Sequence, residues 1–210
     1  MATFEKGILG GFSGKIGNVV GARWRGKDIM RSLPRTSNRM PSESQLYQRE
    51  KFKLVSQFLK PIQPILGFYL GASQGSRSRI NLALSYHLKE AITGLVPPFT
   101  MDYTKVMFAK GVLLGFADAQ AALNGSNLNL SWTNNSGQSN AKDTDAVLIL
   151  LFNTVTQVFD YRENVATRGA GSYSLSLAGN EGQQVYVWIT IHAVDKLLVS
   201  TSSYVGSYTI

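Results

Sequence analysis

The spacing of the apolar side chains changes near residue 101, and that change decides what this chain can fold into. Before it, Leu54, Val55, Phe58, Leu59 and Ile62 recur at helical intervals, with Arg49, Glu50, Lys51 and Lys53 as a polar face. Pro41 and Ser42 open this segment, Ser42 and Gln45 have the spacing of a capping box, and Pro61 and Pro64 end or kink the helix. A second helix is expected from about residue 78 to 91. It has Ile80, Ala83, Leu84, Leu88, Ala91 and Ile92 on one face, Gly94 as its C′ residue, and Pro97 and Pro98 to prevent continuation. Two antiparallel amphipathic helices account for both runs.

Beyond residue 101 the period is two. Leu128, Leu130 and Trp132 alternate with Asn127, Asn129 and Ser131, and Tyr173, Leu175 and Leu177 alternate with Ser172, Ser174 and Ser176. Residues 145–153 (DAVLILLFN) are apolar on both faces, as a central strand should be. Residues 184–193 (QVYVWITIHA) place Val185, Val187, Ile189 and Ile191 on one face and Tyr186, Trp188, Thr190 and His192 on the other. Residues 197–210 supply a last strand or a bent pair. Turn signals at Asn124-Gly125, 134–137, 169–171 and 179–182 separate these runs. Short strands at this spacing, about seven in all, describe a β-sandwich whose core is expected to unite Leu130, Trp132, Leu150, Val187 and Ile189. A strand ending in Trp132 followed by an apolar central strand resembles a fibronectin type III or immunoglobulin-like module. The absence of cysteine excludes the antibody version.

The first 41 residues differ from both regions. Gly7, Gly10, Gly11, Gly14, Gly17, Gly21 and Gly26 are interleaved with Ile8, Leu9, Phe12, Ile16, Val19, Val20 and Trp24. Residues 15–24 read as a strand, Arg25-Gly26 as a turn, and residues 27–32 as a return strand. Glycine inside a strand costs stability but lets another backbone approach closely. A short hairpin does not stand alone in water, so the rest of the chain or a neighbour must cover it. The expected fold is mainly β with a helical segment: a Gly-rich basic hairpin arm (1–41), a two-helix segment (42–100) and a fibronectin-like β-sandwich (101–210).

Of the 210 residues, 44% are hydrophobic and 16% charged, which excludes a disordered chain. No apolar run reaches the roughly 20 residues of a membrane span. The start, MATFEKGILGGFSGKIG, lacks the apolar region of a secretory signal, so the expected location is the cytoplasm or an assembled particle or filament. Residues 1–60 carry twelve Lys/Arg against four acids, a net +8; residues 61–122 carry +2 and residues 123–210 carry −2. An excess so placed points to an anionic partner, or to the slightly acidic C-terminal module of another copy. The candidate residues are Lys15, Arg23, Trp24, Arg25, Lys27, Arg31, Arg35 and Arg39. Arg and Lys neutralise phosphates, and an aromatic among them stacks on bases. No RNP, KH, zinc or helix-turn-helix signature accompanies them. Homomeric assembly is therefore the expectation and nucleic-acid binding the alternative.

Tests for chemistry fail. There is no cysteine, and His87 and His192 belong to different elements, so no metal site is expected. Gly14-Lys15 is followed by Ile16, where a P-loop has Ser or Thr, and Leu9 stands where its first glycine belongs. Asp143 and Asp145 could serve as acid and base or hold a cation, but beside Lys142 they read as a solvated loop that protects strand edges. No catalytic residue, cofactor, metal or small-molecule substrate is implied. The expected function is structural: a non-catalytic protein that self-associates through its arm into an oligomer, filament or particle.

Four segments carry a wider resemblance: GILGGFSGKIGNVVGARWRGKDIMRSLP (7–34), SQLYQREKFKLVSQFLKP (44–61), LNLSWTNNSGQSNAKDTDAVLILLFN (128–153), and a tail with Ser200, Ser202, Ser203, Tyr204, Val205 and Gly206. Through them the chain resembles, over nearly its full length, a family of uncharacterised bacterial proteins defined as a domain of unknown function. That resemblance implies no activity, cofactor or site. The Gly/Arg stretch ahead of a helix start also resembles the N-terminal arms of some phage-type structural proteins.

Overall fold

In the computed structural model, which describes residues 3–4, 10–24, 26–35, 39–73, 75 and 77–210, the chain divides into two units, Met1–Glu43 and Ser44–Ile210. The first is an antiparallel sheet of β1 (Thr3–Phe4), β2 (Phe12–Ile16), β3 (Val19–Trp24) and β4 (Lys27–Ser32), paired in chain order. The return strand lies at the expected residues. The single strand expected over 15–24 does not: Gly17, at φ 56°, and Asn18 reverse the chain, so Lys15 and Ile16 end β2 and pair with Val20 and Val19 of β3. A positive φ in a two-residue hairpin loop is what glycine supplies without steric cost. Gly21 serves differently. A Cβ there would stand 2.2 Å from the Phe12 carbonyl oxygen and 2.6 Å from its ring, so the start of β2 lies directly against it. The close approach expected of strand glycines is made by the arm's own chain. Gly7, Ile8, Leu9 and Arg25 lie outside the described residues.

In the second unit α1 (Glu43–Leu59) follows Ser42, and a 3-10 turn (Lys60–Ile62) leads into α2 (Gln63–Tyr69). Pro61 and Pro64 each stand in the first turn of the next helical segment, where a missing N–H leaves no bond unmade. As expected, α1 ends just ahead of Pro61, and the chain resumes as the 3-10 turn and then α2 after a break at Ile62 (φ −98°, ψ 11°). The next helix, α3 (Arg79–Glu90), is capped by Ser78, whose Oγ accepts the Asn81 N–H at 3.2 Å. Gly94 is not its C′ residue. Ala91 closes the helix, and the chain extends at once into β5 (Ile92–Thr93), which pairs with β6 (Thr100–Met101).

Seven strands follow: β7 (Ala117–Asn124), β8 (Asn127–Thr133), β9 (Ala146–Asn153), β10 (Val158–Thr167), β11 (Ser172–Ser176), β12 (Gln184–His192) and β13 (Ser203–Thr209). They form one sheet in the order β11-β8-β7 and another in the order β10-β9-β12-β13, all antiparallel. This is a fibronectin-like β-sandwich.

Strand alternation divides the core. Val147, Ile149 and Leu151 of β9, with Val185, Val187, Ile189 and Ile191 of β12, meet Leu128, Leu130, Trp132 and Leu175 between the sheets. Leu148, Leu150, Phe152 and Trp188 emerge on the opposite face and meet Val55, Phe58, Leu59, Ile62 and Leu66 of the helical segment. Both faces of β9 are therefore buried, which is why DAVLILLFN shows no alternation. Leu150, expected beside Trp132, faces the helices instead because its parity is that of Leu148 and Phe152. One core thus joins residues on either side of position 101. Among the described residues no helix is long and apolar enough to cross a membrane.

Candidate functional site

The arm carries the residues that sequence marks for binding, and strand register sorts them. Lys15 stands opposite Val20 and Val20 opposite Arg31; Ala22 faces Ile29, and Trp24 faces Lys27. Side chains directly opposite share a face, and those two positions apart along a strand share it too. Lys15, Trp24, Lys27 and Arg31 therefore lie on one face, with Val20, Ala22 and Ile29 between them. Arg23 does not join them. It stands opposite Asp28 on the other face, with Ile16, Val19 and Met30. Arg35 and Arg39 themselves lie in neither helix nor strand, and Arg25 is outside the described residues. All seven described candidates are exposed, and Trp24 keeps 55% of its surface open. Lys15, Arg23, Lys27, Arg31 and Arg35 make no ion pair among the described residues.

The second notable feature of this sheet is its edge. Among the described residues β4 pairs with β3 alone, and all six of its residues are exposed. Met30 is 73% open, and Ile29 and Leu33 are partly open beside it. Unpaired main-chain groups along an exposed strand are a template for another strand.

The second unit places its polar groups in structural roles. Asp145 is not the solvated loop acid that sequence suggests. It is buried against Arg168, itself fully buried, with the guanidinium Nε and Nη2 donating to Oδ2 at 3.2 and 3.1 Å. The remaining guanidinium N–H groups reach the Gly115 carbonyl at 3.3 Å, the Leu114 carbonyl at 2.7 Å and the Asn135 side-chain oxygen. All five donors are thus satisfied, and the loops before β7, between β8 and β9, and between β10 and β11 are tied together. The Trp132 indole donates to the Arg168 carbonyl at 2.9 Å. Nothing in the sequence distinguishes Arg168 from an ordinary surface base, because its partners are 23 to 54 residues away and two of them are main-chain carbonyls. Asp143 stays exposed, held below the usual carboxylate range by hydrogen bonds from Asn134 and Ser136.

His87 is buried on α3. Its Nε2 accepts the Met107 N–H at 3.2 Å, so Nδ1 carries the proton it donates to the Ala83 carbonyl at 2.8 Å. Burial pushes its pKa below the ordinary value. His192 is also buried, with Nδ1 2.9 Å from the Ala193 carbonyl. Among the described residues no group of three His, Asp or Glu stands close enough to hold a metal. One string that sequence reasoning overlooks, Gly71 to Gly75 (GASQG), has the G-x-S-x-G spacing of a nucleophile elbow. It follows a helix rather than a strand, and Ser73 is exposed with neither histidine bonded to it. Gln74 lies outside the described residues. A groove of about 500 Å³ beside it is lined by Leu82, Tyr86, Met107 and Val112. Burial and the nearby Glu90 raise the Tyr86 phenol, which keeps it protonated.

A family model matches residues 11–206, from the start of β2 into β13. The chain belongs to DUF6266, a family of unknown function. The region that defines DUF6266 includes three strands of the arm together with the helices and the sandwich, so the arm is part of the family's architecture. No curated protein matches the chain. Among solved structures, the FN5 domain of Drosophila Lar is similar over 45% of this chain and 95% of that domain, at 10% identity and a TM-score of 0.31.

Proposed function

We propose that this protein is a non-catalytic structural component whose copies associate through the N-terminal arm into an oligomer, filament or particle. The observation that carries the reading is the open edge of β4, six exposed residues paired on one side, with apolar Met30, Ile29 and Leu33 along it. Strand addition at such an edge draws affinity from main-chain hydrogen bonds and specificity from alternate side chains. The excess charge of residues 1–60 would steer encounter with the slightly acidic residues 123–210 of another copy. The inclusion of β2, β3 and β4 in the DUF6266 match supports a role for the arm beyond that of a loose tail.

A second reading, nucleic-acid binding, is favoured by Lys15, Lys27 and Arg31 sharing a face with Trp24. The two readings draw on the sheet's face and on its edge, and because Lys27 and Arg31 belong to β4 itself, salt dependence and nuclease treatment are what separate them. Phosphate contacts by these three cations would make log affinity fall with log salt, with a slope of about −0.7 to −0.9 per phosphate. Replacing Trp24 by Ala would remove roughly 1–3 kcal/mol of stacking on single strands. We expect no sub-micromolar binding to a mixed-sequence single strand at moderate salt, and self-association that is unaffected by nuclease. Tight, salt-sensitive binding by a protein that is otherwise monomeric would replace assembly with the second reading.

A further inference from the structure

We infer that a second copy of this chain docks antiparallel on β4, with Met30 facing the partner's Met30 across a two-fold axis. This rests on the reading of the arm as an assembly surface and gives it a partner strand and a register.

Hydrogen-bond parity narrows the choice first. Trp24 and Lys27 close a two-residue turn and so exchange both main-chain bonds. Alternation puts Ala22 with Ile29 and Val20 with Arg31 in the same class, and the Leu33 N–H, donating to the Asn18 carbonyl at 2.8 Å, continues it. Lys27, Ile29, Arg31 and Leu33 are therefore turned toward β3, while the N–H and C=O of Asp28, Met30 and Ser32 point outward. An isologous antiparallel partner must match outward residues with outward residues.

Charge then eliminates most registers. Centring the axis on Asp28 puts two carboxylates opposite each other. Pairing Asp28 with the partner's Met30 puts Lys27 opposite the partner's Arg31. Pairing Met30 with the partner's Ser32 puts Arg31 opposite the partner's Arg31. Like charges directly opposite across strands are destabilising. Centring on Ser32 brings Met30 opposite the partner's Pro34, which has no N–H to give. With Met30 on the axis, Lys27 faces the partner's Leu33, Asp28 the partner's Ser32, and Ile29 the partner's Arg31. No like charges meet, and the most exposed apolar residue of the strand is covered.

Other edges are less suited. The ladders of β7, β10 and β13 each contain a register shift, and β10 also carries Asp160, Arg162 and Glu163. The β3–β4 ladder runs through all six residues without one. β11 is regular but shorter, and it exposes Ser172, Ser174 and Ser176.

The chain has no cysteine, so single cysteines report the register directly in the full-length protein. Facing Cα atoms in a hydrogen-bonded antiparallel pair are about 5.5 Å apart, inside the roughly 4.4–6.8 Å span of a disulfide. Under mild oxidation Met30→Cys should form a covalent dimer. Asp28→Cys and Ser32→Cys should each stay monomeric on reducing-agent-free gels but should cross-link when mixed. Ile29→Glu would set a carboxylate against the partner's Arg31 twice per dimer and tighten the dimer roughly 2- to 30-fold by sedimentation. A chain that assembles through its arm but cross-links at Asp28→Cys alone, fails to cross-link at Met30→Cys, or is weakened by Ile29→Glu overturns this pairing and leaves the arm as the assembly surface. A full-length chain that stays monomeric overturns both.

Discussion

Removing the Arg168 side chain tests whether the loops at one end of the sandwich are held by a single buried cation. In Arg168→Ala, Asp145 loses its counter-charge while remaining 1% exposed, and breaking a buried pair this way costs about 3–5 kcal/mol. The Leu114 and Gly115 carbonyls and the Asn135 side-chain oxygen lose donors as well. Each would cost about 1–3 kcal/mol if left dry, but the space vacated by a guanidinium admits water, so these losses do not simply add. The expected total is about 4–6 kcal/mol, a large fraction of a typical domain's stability of roughly 5–15 kcal/mol. Urea unfolding followed by tryptophan fluorescence reads it, since the Trp132 indole is bonded to the Arg168 carbonyl. A companion variant keeps the test sharp if the single one barely folds. Asp145→Leu with Arg168→Met replaces both charges with apolar groups and should recover at least about 1 kcal/mol over Arg168→Ala. A single variant within about 1 kcal/mol of the parent, or a double variant no more stable than the single one, would refute the reasoning.

Leu150→Ala should cost about 2–5 kcal/mol, because Leu150 is fully buried against the helices, and a cost below about 0.5 kcal/mol in urea unfolding would place it elsewhere. Gly21→Ala forces a Cβ into the Phe12 carbonyl and should make the arm far more susceptible to limited proteolysis while leaving the unfolding midpoint of residues 44–210 unchanged; an equally resistant arm would contradict that packing. His87, with its folded pKa depressed by burial below the unfolded value of about 6.5, binds fewer protons folded than unfolded. Its contribution is therefore intact above about pH 7 and declines as pH falls through 6.5, by up to ~1.4 kcal/mol per unit until the folded ring protonates. His87→Gln should flatten that part of the stability–pH profile, and parallel profiles would show that the ring does not titrate as argued.

Much of the fold is legible where side-chain period and burial agree. β8, β9, β11 and β12 show themselves because each presents at least one unbroken apolar row. β7 and β10 do not. β7 faces the core with alanines and is interrupted where Asp118 takes φ 51°. β10 is an edge strand whose charged Asp160, Arg162 and Glu163 read as loop, and Asn164 at φ 56° breaks its alternation. Leu150 illustrates a different limit. Both faces of β9 are apolar, so composition gives no sign of which face meets Trp132 and which meets the helices. In the arm the candidate cations are visible as a cluster, but a one-residue turn position decides their faces, and Arg23 is parted from Trp24 by strand parity alone. The buried Arg168 is invisible for a related reason, since three of its partners come from loops distant in sequence.

Association of copies of this chain through the arm is tested most directly by mass in solution. Light scattering coupled to gel filtration, on the full chain and on a chain lacking residues 1–41, measures it in one experiment at low and high salt. The full protein should show a mass of at least two chains across tens of micromolar, and the deleted chain the mass of one. A full-length protein that elutes with the mass of a single 23.0 kDa chain at every concentration, or a deleted one that assembles as before, would contradict it.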